Sequence, residues 1–289
     1  TRETWLGHPK GLFLLFATEM WERVSYYGMR ALLVLSLVAG VETANPGFGW
    51  SQAEALKLYG LFTGFVYFTP LIWGWLADNY LGQRKSVIIG GLVMAAGQST
   101  LASAIPGNLT VFYAGLVLLV IGNGFFKPNI STMVGDLYPE GDARRDGAFT
   151  IFYMGINSGA LIAPFVCSTL GEDPNYGWRY GYMAAGIGML LSVVIQLAFS
   201  NRYLGDIGKE PAAHRALQQA GGKKEPLTPD EVDRLRVVFM LFVFIVLFWA
   251  GFEQAGGLMN LYAAEKTDRF VGSFEVPAGW FQSVNPLFI

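Results

Sequence analysis

The sequence predicts an all-α integral membrane protein. Seven apolar runs are each long enough to cross a bilayer, for which roughly 20 residues suffice. Charged residues make up only 15% of the 289, against about 25% in soluble domains. No stretch alternates apolar and polar residues in the manner of barrel strands.

The spans are read at about 11–39, 53–77, 86–105, 110–133, 148–170, 179–200 and 235–262, each near the roughly 20 residues a crossing needs. An eighth begins near 278 and is cut off at "NPLFI". The chain starts without Met, and "TRETWLGHPKG" leads into an apolar run too long for a signal peptide. The expectation is a piece of a longer protein.

Lys and Arg in the connections set the orientation. With the N-terminus inside, the inner connections hold Arg2, Lys10, Arg84, Lys85, Arg144, Arg145, Arg202, Lys209, Arg215, Lys223, Lys224, Arg234 and Arg236. The outer ones hold only Lys57, Arg179, Lys266 and Arg269. A cytoplasmic N-terminus follows.

Composition also excludes chemistries. The single cysteine, Cys167, rules out an intrachain disulfide framework and a thiolate cluster. A net charge of −2 offers no case for nucleic acid. His8 and His214 both lie outside the spans, so paired carboxylates inside them lack the partners of a dimetal site. No His or Lys stands near a candidate serine in the spans, which argues against a hydrolase.

The domain reading is a six-helix transmembrane bundle over 1–200, a polar cytoplasmic linker over 201–232, and the start of a second bundle over 233–289. The linker ends in "LTPDEVDRLR", a helix start with Thr228 as N-cap, Pro229 at the first helical position and Glu231 closing a capping box. The seventh helix therefore begins before the membrane.

The first span holds "EMWERVSYYGMR", with Glu19, Glu22, Arg23 and Arg30 in an otherwise apolar run. At about 100° per residue, these and Tyr26 and Tyr27 fall within an arc of roughly 140°. Charges in hydrocarbon are costly, so this face looks into protein or a water-filled cavity. Glu19 can pair with Arg23, and Glu22 with Arg23 or Arg30; the alternative to a functional face is a structural ion-pair ladder.

Further polar groups follow along the chain. Lys127, beside Pro128 in "GNGFFKPNIST", either snorkels to the interface or faces a binding cavity. Tyr153 and Asn157 stand one turn apart in "FYMGINSGALIAP", a weak signal since membrane Asn often bonds only a neighbouring helix. Tyr67 reads as aromatic packing. Trp249 and Glu253 share a face in "FWAGFEQAGG", and Glu253 is a partner for Arg23, Arg30 or Lys127 across the halves. Gly60 with Gly64, Gly155 with Gly159, and Cys167 read as helix packing.

Two resemblances follow from these residues. "GWLADNYLGQRK", with Asp78, Arg84 and Lys85, resembles the signature loop of the major facilitator superfamily, which fastens neighbouring helix ends. "EMWER" followed by "YYG" resembles the ExxER motif of proton-dependent oligopeptide transporters. "FFKPNIST", "FYMGINSGALIAP", "FWAGFEQAGG" and "WFQSVNPLFI" are similar to further blocks of that family in the same order.

The resemblance implies a major facilitator fold and a proton-coupled symporter that imports di- and tripeptides by alternating access. Glu19, Glu22, Arg23, Arg30 and Glu253 are implied in proton coupling. Arg23, Tyr26, Tyr27, Arg30, Tyr67, Lys127, Asn157, Trp249, Glu253 and Asn285 are implied in peptide binding. It implies no enzyme activity, no cofactor beyond protons, a monomer, and a multi-pass protein of the plasma membrane, a bacterial inner membrane in particular. The alternatives are a transporter of the same fold for nitrate, a drug or another organic ion, and a membrane-embedded enzyme or receptor. The short polar linker departs from members that insert two extra helices between the halves. The tenth-helix glutamate expected to meet Lys127 lies beyond this sequence.

Overall fold

A computed structural model describes residues 3–211 and 227–289. Arg2, His214, Arg215, Lys223 and Lys224 lie outside the described residues. Six long helices form the first part: α1 (Lys10–Val38), α2 (Gln52–Leu76), α3 (Gln83–Ala104), α4 (Leu109–Asp136), α5 (Arg144–Glu172) and α6 (Trp178–Leu204). The second part has α7 (Pro229–Phe252), α8 (Leu258–Lys266) and a short α9 (Val284–Leu287). Two small hairpins, β1 (Thr4–Trp5) with β2 (His8–Pro9) and β3 (Phe270–Val271) with β4 (Phe274–Glu275), sit outside the helices.

Among the described residues, six helical stretches are long and apolar enough to cross a membrane, from Gln52–Leu81 to Pro229–Lys266. The 29 residues of α1 have the length, about 43 Å at 1.5 Å per residue, but carry the four charges on a buried face. The first six predicted spans therefore each fall on one helix, and the seventh falls on helical structure that breaks within it.

Start signals act locally and behave as read. Thr228 Oγ1 accepts from the Glu231 backbone N–H, the Glu231 carboxylate accepts from Thr228 N–H at 2.7 Å, and Pro229 opens α7. Ser51 and Glu54 make the same box at α2.

Small residues let the helices approach. A Cβ on Gly159 would strike the Met20 carbonyl of α1, and one on Gly155 would meet Phe16 at 2.9 Å. These glycines let α5 approach α1 closely, in keeping with their reading as helix packing. Gly60 and Gly64 differ: a Cβ there meets nothing within 4 Å. They line an apolar groove between α2 and α7 instead of a helix contact.

Three boundaries depart from the sequence reading. Helix α6 runs four residues into the predicted linker, to Leu204, and stops where Gly205 takes φ +61°. The seventh span is not one helix: after Phe252 it tightens into a 3₁₀ turn, Glu253–Gly256, and restarts at Leu258. The stretch from 278, read as the start of an eighth span, is a 3₁₀ turn over Ala278–Ser283 followed by α9.

Several hydrogen bonds between the two parts lie toward one end of the bundle. Asn260 donates to the Ala31 carbonyl at 2.8 Å, and Ser283 to the Leu161 carbonyl at 2.8 Å. Glu172, at the end of α5, accepts from the backbone N–H of Ala278 and Gly279 at 2.7 and 2.9 Å. By contrast, no residue of α7 is buried. The Asn260 and Glu172 contacts lie toward the end of the bundle opposite Lys10, Arg84 and Arg144.

Candidate functional site

The charged face of α1 is buried as its periodicity requires. Arg23 pairs through Nε with Glu19 Oε1 at 3.0 Å and with Glu22 Oε2 in a closer contact. All three are at most 3% exposed, so a charge is tolerable there only because its partners are adjacent. Arg30, two turns on, reaches elsewhere. Its Nη1 meets Glu253 Oε2 at 3.1 Å and its Nε donates to Gln282 Oε1 at 3.2 Å. Of the three cations the sequence offered to Glu253, the structure pairs it with Arg30.

Glu253 sits in the helix break, where the tightened turn brings its carboxylate to α1 and α2. Tyr67 donates to Oε1 at 2.8 Å. Tyr59 donates to the Glu253 carbonyl at 2.8 Å and lies 3.3 Å from Oε2. The chain must come close here: Gly256 lies against Tyr59 and Arg30, and a Cβ would meet Arg30 Nε at 2.7 Å. The break and the bridge are one feature.

A cavity of about 400 Å³ opens beside this bridge. Glu19, Arg23, Arg30 and Lys127 supply its charged lining, with Tyr27, Tyr67, Tyr153, Asn157, Trp249 and Asn285 around them. Arg30 stacks over the Tyr27 ring at 4.9 Å, Lys127 over the Tyr67 ring at 4.7 Å, and Trp249 lies 6.1 Å from Tyr67. The ring faces lie against the Arg30 guanidinium and the Lys127 ammonium, an arrangement that favours a cation beside each ring. Anion binding at one end, with amphipathic aromatic walls, is what this arrangement can do chemically.

Glu22, Tyr26, Glu253, Asp78, Arg84 and Lys85 are not among the residues that line the cavity. Glu22 and Tyr26 are buried behind it, Tyr26 under the Arg23 guanidinium at 5.3 Å. Glu253 closes it from the side through Arg30. Asn157 lines it while donating to the Tyr153 carbonyl at 3.0 Å. Arg84 ties the α2–α3 loop to the end of α6, donating to Asn201, Gly205 and Ile207. Asp78 sits in the π turn that ends α2, and Lys85 is exposed.

Comparison with known proteins decides the family. The POT family profile matches residues 84–220 and 213–289. The chain belongs to the POT family. A POT relative, the peptide transporter YePEPT of Yersinia enterocolitica, is 37% identical over 99% of this chain and 66% of its own length. An uncharacterized transporter, YclF of Bacillus subtilis, is also 37% identical, over 98% of this chain and 66% of its own. The chain thus spans slightly under two thirds of these two relatives. A solved POT peptide transporter in complex with sulfate superposes with a TM-score of 0.82 at 34% identity, over 99% of this chain and 67% of that one. A POT family transporter in complex with 5-aminolevulinic acid superposes at 0.86 with 28% identity. The major facilitator fold follows from these likenesses.

Two residues that hold the bridge of this POT site, Tyr59 and Gln282, were missed in the sequence, as was Glu172, which joins the two parts. Tyr59 precedes Tyr67 by two helical turns on the same face of α2, a spacing that could have flagged it. Gln282 and Glu172 carried no local signal, because each acts on a backbone or side chain more than 100 residues away.

Proposed function

We propose that this chain is part of a proton-coupled symporter that imports di- and tripeptides by alternating access. It sits in a cell membrane with its N-terminus in the cytoplasm, acts as a monomer and uses protons as its coupling ion. Its first bundle ends with α6 at Leu204, and α7, from Pro229, begins the second bundle after the linker. The observation that carries this reading is the cavity in which Arg23, Arg30 and Lys127 converge while Arg30 is held by Glu253. The names of its relatives, peptide transporters among them, support it.

Every peptide offers an ammonium, a carboxylate and backbone amides, whereas its side chains vary. Fixed cations bind the carboxylate, and Tyr27, Tyr67 and Trp249 accept varied side chains. Glu253 couples the proton: protonating it removes one of two opposite charges in a low-dielectric site and weakens its hold on Arg30. That contact lies at the end where the two parts meet, so releasing it lets the halves rock about the site. Membrane potential adds about 2.3 kcal/mol per charge per 100 mV.

The test is dipeptide uptake by the full-length protein in proteoliposomes under a pH gradient. Glu22→Gln or Glu253→Gln abolishes gradient-driven uptake while leaving proton-independent exchange. Full gradient-driven uptake by both variants overturns proton coupling through these groups. Failure of unlabelled dipeptides to compete overturns the peptide reading.

A further inference from the structure

A second concave surface lies on the outer side of the first bundle, away from the cavity and from every contact with residues 253–289 described above. Its volume is about 390 Å³ and it runs between the start of α1 and the end of α6. Phe13, Leu14 and Ala17 form one wall, Ile195 and Phe199 the other. With Lys10 and Tyr203 the lining runs over 10–17 and 195–203 at spacings of three to four residues, so the groove extends about 10 Å along both helices.

Its mouth is built differently. The β1–β2 hairpin folds Trp5 back onto Phe13, ring centroids 4.4 Å apart, and Tyr203 closes the opposite side. Two cations flank the Tyr203 ring, Lys10 Nζ at 6.0 Å and Arg202 Cζ at 5.2 Å from its centre. Both contact one carboxylate, Glu3, at 2.7 and 3.3 Å. Two positive charges against one negative leave a net charge of about +1 at the rim. All three side chains remain substantially solvent-accessible, where ion pairs hold weakly and can be exchanged for another anion.

An apolar floor, a Trp and Tyr at the level of a membrane interface, and a surplus cation above them match one kind of molecule. We propose that this groove binds an anionic glycerophospholipid, one acyl chain lying between α1 and α6 and the phosphate held by Lys10 and Arg202. Glu3 competes with the phosphate for both cations. A zwitterionic lipid brings its own ammonium and gains less from the rim. Neither the carboxylate-binding cavity nor the Arg30–Glu253 bridge enters the argument, so the proposal stands apart from the peptide reading.

Delipidated full-length protein titrated with phosphatidylglycerol or phosphatidylcholine, with bound lipid counted by native mass spectrometry, tests it. The wild type prefers phosphatidylglycerol. Lys10→Gln and Arg202→Gln each lower that affinity by about fivefold, the worth of one cation beside an anionic headgroup. Glu3→Gln raises it, a sign that mere loss of a structural ion pair does not give. Ala17→Phe fills the floor and lowers retention with both cations intact and an unchanged melting temperature. Equal binding of the two lipids by the wild type, a preference surviving Lys10→Gln with Arg202→Gln, or lowered affinity in Glu3→Gln overturns the proposal. So does a stable dimer disrupted by Ala17→Phe, which assigns the groove to a second copy of the chain.

Discussion

Arg30 and Glu253 are separated by 223 residues in sequence and meet at 3.1 Å. Both are nearly buried, with 5% and 10% of their side-chain surface exposed. Removing one partner leaves the other as an unpaired charge in a low-dielectric site, which costs about 3–5 kcal/mol in buried pairs. Arg30→Ala should therefore lower stability toward the lower end of that range, because a cavity of about 400 Å³ partly lined by polar groups borders the pair. Adding Glu253→Ala should restore much of the loss. Thermal unfolding of the two variants in detergent checks this; a double variant no more stable than Arg30→Ala would show that the pair is not the source.

Gly159 controls the fit of α5 against α1. A Cβ there meets the Met20 carbonyl and lies 2.7 Å from the Arg23 Cβ. Backbone atoms cannot move aside as a flexible side chain can, so α5 must shift. Gly159→Val should lose about 1–3 kcal/mol to overpacking and reduce uptake by displacing Arg23. The same substitution at Gly60, whose Cβ would face open space, should leave packing within the described residues unchanged. Comparing the melting temperatures of the two variants tests the contrast.

Lys127 borders the cavity and covers the Tyr67 ring at 4.7 Å. Lys127→Ala should abolish dipeptide uptake while the protein remains folded. Transport at the wild-type rate would return Lys127 to the role of a cation snorkelling toward the interface.

Outside the membrane-spanning helices, Asp142 is held by Arg144, whose guanidinium and backbone N–H both donate to it, at 2.7–3.1 Å. These bonds lower its carboxyl to about 2. A depressed value in the folded state means the contribution is full above the unfolded value, about 3.9. It disappears as pH falls through about 2. The difference in melting temperature between wild type and Asp142→Asn should stay constant from about pH 7 to 5 and narrow below about pH 4. A difference that widens on acidification would contradict this assignment.

Much of this protein was legible one segment at a time. Hydrophobic run length placed seven helices, the Thr228–Glu231 box placed the start of α7, and the 100° turn per residue gathered Glu19, Glu22, Arg23 and Arg30 on one face. Each depends on neighbours within a few residues, so the sequence alone determines it. The motif order likewise pointed to the family that the comparisons established.

The tertiary structure decided the rest. Whether Arg30 took Glu22 or Glu253 depended on where a helix more than 200 residues away would break, and no local rule sets that. The break itself is stabilised by what it touches: Tyr59, Tyr67 and Arg30 hold Glu253, and the small Gly256 lets them approach. Charge pairing in a membrane helix acts over a few ångströms, and only the packed helices determine which groups come within that range.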